Sequence, residues 1–322
     1  MVNAKLLKKY RALFPEQGLI SPELSEFNFS RLRDEASLEE FLLTSARIVE
    51  SMKTPRNHPH LGGVIRSPDY GQIQISATVP QVGQSLVQIF DRLYDLALGH
   101  PFQTEFYMTN AIPLPTKISL AAHLLGAYLN SNPIFDVYGP AASEAEIEGV
   151  AMMAEVVGFN KLKAGGYFTS GGTGGNKAAL RIGIQKAGIT FLNPDEIHKS
   201  ERTDYREQGI PNNLYVFSNE LAHFSVDEVV ARSGIGTSHN IQVRSNLDNS
   251  MNMEDLESKM REVLKPTSEG GRGGKIACIY ATVGTTDSFG MDEVTKIKAV
   301  RDRLVKEYDL PYVPHLHADL AN

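Results

Sequence analysis

From about residue 113 onward, short apolar runs alternate with stretches of helical spacing, and this alternation limits the folds open to the chain. The runs Leu214 to Ser218, Ile241 to Arg244, Lys275 to Val283 and Tyr312 to Ala318 predict strands. The intervening stretches Val226 to Arg232, Met253 to Leu264 and Asp292 to Tyr308 predict helices. Upstream, Ile118 to Leu129 and Glu144 to Val157 also read as helices, and Gly166 to Thr169 reads as a short strand before a helix over Lys177 to Ala187. A β/α alternation of this kind predicts an α/β fold with a mostly parallel sheet covered by helices. Ligands of such sheets sit beyond the carboxyl ends of the strands.

The first part of the chain reads differently. Residues 1–55 predict a helical arm, with Ser37-Leu38-Glu39-Glu40 before Phe41 as a capped start. Prolines and glycines over residues 56–80 predict a loop, and Val82, Leu86, Ile89, Phe90, Leu93 and Leu96 predict a helix over 81–98. The division is therefore 1–112, a helical arm with a loop segment, and 113–322, the α/β domain. The glycine-rich polar stretch Pro266 to Gly274 predicts a flexible surface connection.

Composition removes several classes of function. The net charge of -6 comes without a basic stripe, so nucleic-acid binding has no electrostatic support. No apolar run approaches the roughly 20 residues of a membrane span, and the N-terminus lacks the apolar core of a signal peptide. The single cysteine, Cys278, lies in an apolar strand run and is expected to be a packed, inert thiol. These features together predict a cytoplasmic protein.

The most informative local feature is Ser170-Gly171-Gly172-Thr173-Gly174-Gly175-Asn176, placed between a predicted strand and a helix. Glycines allow the backbone to approach a ligand closely, and the N–H groups and dipole at a helix start favour an anion. This is a phosphate cradle on physical grounds. It lacks the Gly-Lys-Ser/Thr of a nucleotide-binding P-loop, because Asn176-Lys177-Ala178 follows Gly175. It also fails the dinucleotide pattern, whose last glycine would fall at Lys177.

Further along, His223 follows one strand, Ala281 to Thr286 ends another with hydroxyl groups, and His317-Ala318-Asp319 ends the last. A carboxylate carried there by apolar residues needs a partner. His315, His317 and Asp319 alternate and so share one face of a strand, which leaves a metal cluster of a hydrolase as another reading.

Taken in order, these stretches resemble the group II pyridoxal-phosphate (PLP)-dependent amino-acid decarboxylases, which include the glutamate, tyrosine, aromatic-amino-acid and diaminobutyrate decarboxylases. The resemblance is carried by Asn130-Ser131-Asn132-Pro133, Pro140 to Glu148, Phe168 to Asn176, Ala222 to Ser225, Ala281 to Thr286 and His317 to Asp319. It implies the large domain of fold type I PLP enzymes and a reaction that converts an L-amino acid to an amine and CO2. It implies that Gly172 and Thr173 hold the cofactor phosphate and that His223 stacks on the pyridine ring. It further implies that Thr286 or Thr285 belongs to the cofactor site and that Asp319 pairs with the ring nitrogen. His223 and Asp319 are the implied catalytic residues, and the implied partners are an amino-acid substrate and a second copy of the chain. His58-Pro59-His60 is similar to a segment near the family's substrate entrance.

The resemblance also implies a Schiff-base lysine downstream of the aspartate and a smaller C-terminal domain, so the chain is expected to be an inactive fragment, truncated before that lysine. Leu320 stands where the family usually has a small residue. His198-Lys199 precedes His223 and falls in the wrong place for the Schiff-base pair. Two other readings of the same fold stay open. One is a different PLP reaction, aminotransfer or carbon–carbon lysis. The other is a non-catalytic homologue that binds PLP or a partner.

Overall fold

A computed structural model of the chain describes residue 46, residues 69–78, 88, 91–92, 115–134, 137–188 and 209–321. The chain separates into two compact units, Met1–Tyr107 and Met108–Asn322. The expected capped helix at Ser37, the His58-Pro59-His60 segment and the His198-Lys199 pair lie outside the described residues. So does most of the helix expected over 81–98, of which Gln88, Asp91 and Arg92 are described and helical.

In the first unit, α1 (Tyr70–Ser76) occupies part of the stretch read from sequence as loop. The Asp69 side chain accepts from the Gln72 N–H at 3.0 Å and caps it. Pro68 precedes the cap and no proline falls inside the helix, so the local chemistry favours one short helix despite the glycines around it.

The second unit opens with α2 (Lys117–Leu129) and α3 (Pro140–Val156). Thr116 caps α2, and Asn130 ends it in the left-handed region at φ 43°. Pro140 occupies the first turn of α3, where its missing N–H costs nothing, so the helix starts four residues before the Glu144 expected from periodicity. Next comes α4 (Gly172–Gly188), followed by β1 (Leu214–Asn219), α5 (Ser225–Ser233) and β2 (Asn240–Val243). After these come α6 (Met253–Leu264), β3 (Lys275–Thr282), α7 (Val294–Glu307) and β4 (His315–Asp319).

The four strands form one parallel sheet in the order β2-β1-β3-β4. Strand side chains alternate between two buried layers. Val216, Cys278 and Tyr280 pack with Leu180 and Ile184 of α4 and with Val226 and Val230 of α5. Phe217, Ile279 and Ala281 pack with Leu256 and Met260 of α6 and with Ile297 and Leu304 of α7. The sheet is thus covered on both faces, which explains why its strands read as nearly continuous apolar runs.

The pairing of β1 with β3 skips Ala277, passing from Tyr215↔Ile276 to Val216↔Cys278. This one-residue bulge keeps Ile276 and Ile279 on one face while Cys278 and Tyr280 take the other. Helix α4 crosses at that point, and a Cβ on Gly183 would stand 2.4 Å from the Ala277 carbonyl oxygen. Only a residue without a side chain lets the helix sit this close to the sheet.

Two sequence expectations are corrected here. Residues Gly166 to Thr169 are not a strand. Two consecutive glycines at 165 and 166 weaken any extended pairing, and the Phe168 N–H is taken by the Glu146 carboxylate at 3.0 Å instead of a neighbouring strand. Helix α4 begins at Gly172, not at Lys177, so the glycine-rich segment is itself the first turn of the helix. Smaller shifts have local causes. Strand β4 starts at His315 because Pro314 has no N–H for the ladder. The Pro266 to Gly274 stretch folds back on the end of α6, with Gly271, Gly273 and Gly274 donating to Pro266, Lys265 and Val263 carbonyls. Cys278 is fully buried, and burial pushes its thiol well above the ordinary value.

Candidate functional site

The carboxyl ends of β1, β3 and β4 and the N-terminus of α4 converge on a cavity of about 430 Å³. Its lining includes Gly172, Thr173 and Asn176 from α4, Thr282, Gly284 and Thr286 at the exit of β3, and Asp319 at the end of β4. His223, Phe224 and Ser225 line it from the turn between β1 and α5. A volume of this size suits a small-molecule ligand.

Each wall has a local cause. Gly171, at φ 145°, makes the turn into α4. At Gly172 an added Cβ would stand 2.5 Å from the Ala321 Cβ, so the helix start and the segment after β4 approach as closely as they can. The start of this seventeen-residue helix and Thr173 line the cavity, and free N–H groups at a helix start favour an anion. His223 Nδ1 accepts from the Ser225 N–H at 3.2 Å, which leaves Nε2 as the position for the ring proton. Its ring lies 4.2 Å from that of Phe224, tilted by 39°.

Asp319 is 8% exposed. Its Oδ2 accepts from Asn176 Nδ2 at 2.9 Å and its Oδ1 from the Ala321 N–H at 3.1 Å. Burial lowers the pKa of the neighbouring His317, and the Asp319 charge opposes this only in part. Burial also pushes His315 down to about 4, with Lys186 adding to the effect. Both histidines are therefore neutral at pH 7. The Tyr280 hydroxyl, pushed far up by burial, stays protonated and donates to the Asn176 carbonyl at 2.7 Å.

Of the residues singled out from sequence, Gly172, Thr173, His223, Thr286 and Asp319 come together on this cavity. Thr285 does not. Its hydroxyl accepts from the Gly290 N–H at 2.8 Å and pairs with the Ser288 hydroxyl at 2.7 Å, closing the loop after β3. Among the described residues, no group of three or more His, Cys, Asp or Glu side chains is placed to hold a metal ion.

Three residues were missed. Asn176 and Ser225 stand inside motifs read from sequence but were given no role, and Thr282 was taken as an ordinary strand end. A signal was available for Asn176: it follows Gly172 by one helical turn and so shares its face. Asn176 Oδ1 and Thr282 Oγ1 are buried without a hydrogen-bond partner, and both residues line the cavity. Unpartnered buried polar atoms are uncommon and point to an incoming polar ligand.

A parallel α/β sheet with an anion-binding helix start and a buried carboxylate at one strand-end cavity defines a class of cofactor-binding proteins. The comparisons make the class specific. Residues 68–322 match the pyridoxal-dependent decarboxylase conserved domain, and the chain belongs to that family, whose cofactor is pyridoxal phosphate. The L-2,4-diaminobutyrate decarboxylase of Acinetobacter baumannii is 27% identical over 254 residues, covering 77% of this chain and 46% of that protein. The L-2,4-diaminobutyrate decarboxylase of Rhizobium meliloti (strain 1021) is 24% identical over 224 residues, covering 69% of this chain and 38% of that protein.

Among solved structures, the fold is similar to the glutamate decarboxylase domain of the diaminobutyrate-pyruvate transaminase and L-2,4-diaminobutyrate decarboxylase from Vibrio parahaemolyticus. The TM-score is 0.71 at 19% identity, over 98% of this chain and 62% of that one. It is also similar to Oryza sativa TDC solved with PLP and tryptamine, with a TM-score of 0.67 at 16% identity, over 87% of this chain and 54% of that one. The chain thus spans less than half the length of the two curated relatives.

The residues present fit pyridoxal phosphate. The cavity is lined by the glycine start of α4, which favours an anion, by the buried Asp319 carboxylate, and by two residues with unpartnered polar atoms.

Proposed function

We propose that this chain supplies the cofactor-holding part of an enzyme that decarboxylates an L-amino acid to an amine and CO2. The observation that carries this reading is the placement of the Asp319 carboxylate in one cavity with the glycine start of α4. Residues 113–322 act as the cofactor-binding domain, and residues 1–112 as the arm and entrance segment.

Bound pyridoxal phosphate supplies an electron sink for the pair left behind when the substrate carboxylate departs. The α4 N-terminus, with Gly172 and Thr173, binds the phosphate. His223, which lines the cavity, would stack on the ring and limit its motion. Thr286 contributes a hydroxyl from the β3 exit. Asp319 holds a proton on the ring nitrogen, because an adjacent carboxylate favours the charged form of that nitrogen.

The substrate class is an amino acid, and diamino and acidic amino acids are the first to assay, given the relatives. The enzyme acts as a homodimer. Exposed Ile118, Leu120, Leu124 and Leu125 on α2 support this, since a helix with so much apolar surface gains by being covered. A cytoplasmic location fits the single, buried cysteine.

The test is a direct one. The protein is loaded with pyridoxal phosphate and CO2 release is measured from L-2,4-diaminobutyrate and L-glutamate. The expected result is cofactor binding by the wild-type chain and, in the full-length enzyme, turnover that Asp319→Ala abolishes. Near-normal turnover in Asp319→Ala would overturn the role of Asp319, and a wild-type protein that does not bind the cofactor would overturn the reading itself.

A further inference from the structure

Asn176 is 1% exposed, and both protons of its amide are committed. One goes to Asp319 Oδ2 at 2.9 Å and the other to Ser225 Oγ at 3.0 Å. Its side-chain oxygen, Oδ1, has no partner. An unpaired buried carbonyl is destabilising, so a polar amide here is a liability unless its donors are needed.

Asp319 explains the need. An ionised carboxylate accepts hydrogen bonds and cannot donate. The charge also fixes which way the amide faces. Turning it over would set Oδ1 against the carboxylate and give up both of these bonds.

The same amide reaches a second site residue. Ser225 is 1% exposed and heads α5, and its N–H donates to His223 Nδ1. Asn176 therefore links Asp319 at the end of β4, Ser225 at the start of α5 and, through Ser225, His223. Its own backbone is held from below, since its carbonyl accepts from the Tyr280 hydroxyl at 2.7 Å. A group so anchored is suited to orienting its neighbours.

We infer that Asn176 is a positioning residue for the cofactor: it holds the Asp319 carboxylate aimed at the ring nitrogen, and sets His223 through Ser225. The inference rests on the proposed function in one respect, that Asp319 meets the ring nitrogen. The Asn176 amide fixes one oxygen of that carboxylate, and so fixes where the carboxylate can meet the ring.

The test measures ligand binding, without reference to turnover. Dissociation constants are determined by equilibrium dialysis of the full chain against pyridoxal phosphate and against its 1-deaza analogue, in which a carbon replaces the ring nitrogen. Asn176→Ala is expected to weaken pyridoxal phosphate about tenfold, the scale of a hydrogen bond to a charged group. The deaza analogue is expected to change by less than about twofold, because the contact served by Asp319 is missing from it. In an Asp319→Asn background, Asn176→Ala should cost little more.

Equal weakening of both ligands would show that Asn176 only packs the site, and would overturn the inference while leaving the proposed function intact. Unchanged pyridoxal phosphate binding would overturn it as well. A wild-type chain that binds neither ligand would remove both readings together. Circular dichroism identifies any variant that fails to fold, and Asn176→Ser, which keeps a short donor, then takes the place of the alanine variant with the same ratio of affinities as the criterion.

Discussion

Individual residues at this site are constrained by contact at the smallest scale. Gly172 has no room for a methyl group, because its Cβ would meet that of Ala321 at 2.5 Å. Gly172→Ala is therefore expected to destabilise the fold by about 1–3 kcal/mol in urea unfolding and to weaken pyridoxal phosphate binding, since the helix start must move. A fully retained affinity would show that the cradle tolerates the shift. Asp292 is constrained by chemistry. Its carboxylate accepts from Asn219 Nδ2 at 2.9 Å and from the N–H groups of Met251 and Thr282 at 2.7 Å each. Burial pushes its pKa up, against the pull of those three donors. It binds the ends of β1 and β3 beneath the cavity. Asp292→Ala leaves three donors without an acceptor, and about 3 kcal/mol or more of stability should be lost, with Asp292→Asn intermediate. Chemical denaturation of the two variants checks the order.

Elements are joined by similar devices. Helix α6 is tied to the end of β2 by Asp255, in its first turn. The Asp255 carboxylate takes the Arg244 N–H and Nε at 2.9 Å and Lys259 Nζ at 2.8 Å. Burial opposes ionisation of Asp255, but the bonds from Lys259 and Arg244 outweigh it, and its pKa lies below the ordinary 3.8. The folded state thus prefers the charged form. The resulting stability is present above the ordinary carboxylate value and is lost as pH falls through the depressed one. Asp255→Asn should cost about 1 kcal/mol at neutral pH, a figure reduced because Arg244 is largely solvent-exposed. The gap to the wild type should close in acid. A gap that stays constant with pH would refute the ion-pair account. The element boundaries teach the same lesson. Periodicity placed Met253–Leu264 without error because that helix has one buried stripe and a clear Asn252 cap. It missed the true start of α4 because glycines carry no hydrophobic pattern. It invented a strand at Gly166 to Thr169 because a local β preference says nothing about whether a partner strand is at hand.

At the scale of the molecule, the proposed dimer is tested at α2, which carries exposed apolar side chains. Leu124 and Leu125 on α2 are 49% and 57% exposed. Light scattering is expected to give twice the 35.4 kDa chain mass, and Leu124→Glu with Leu125→Glu to return it to one chain. A monomeric wild type would count against the dimer. Fold class and the family's motifs were legible from sequence at this scale, because the alternation of buried strands and amphipathic helices repeats over about two hundred residues and averages out local errors. The identity of most residues at the site was legible for a similar reason: glycines, hydroxyls, a histidine and an aspartate at strand ends and helix starts carry chemistry that apolar cores do not.

The sequence by itself determined an α/β sheet, a glycine-rich helix start at Gly172 and Thr173, and a carboxylate at Asp319 that required a partner. The tertiary structure alone decided which partner it found. Asn176 lies 143 positions from Asp319, and the two meet only because α4 crosses the sheet closely enough for their side chains to bond. It also separated Thr286 from Thr285, neighbours with the same hydroxyl, one facing the cavity and the other closing a loop. Periodicity records which face of an element is buried. The direction in which a polar side chain finds its complement depends on backbone turns and on neighbours far away in the chain, and these exist only once the sheet has assembled.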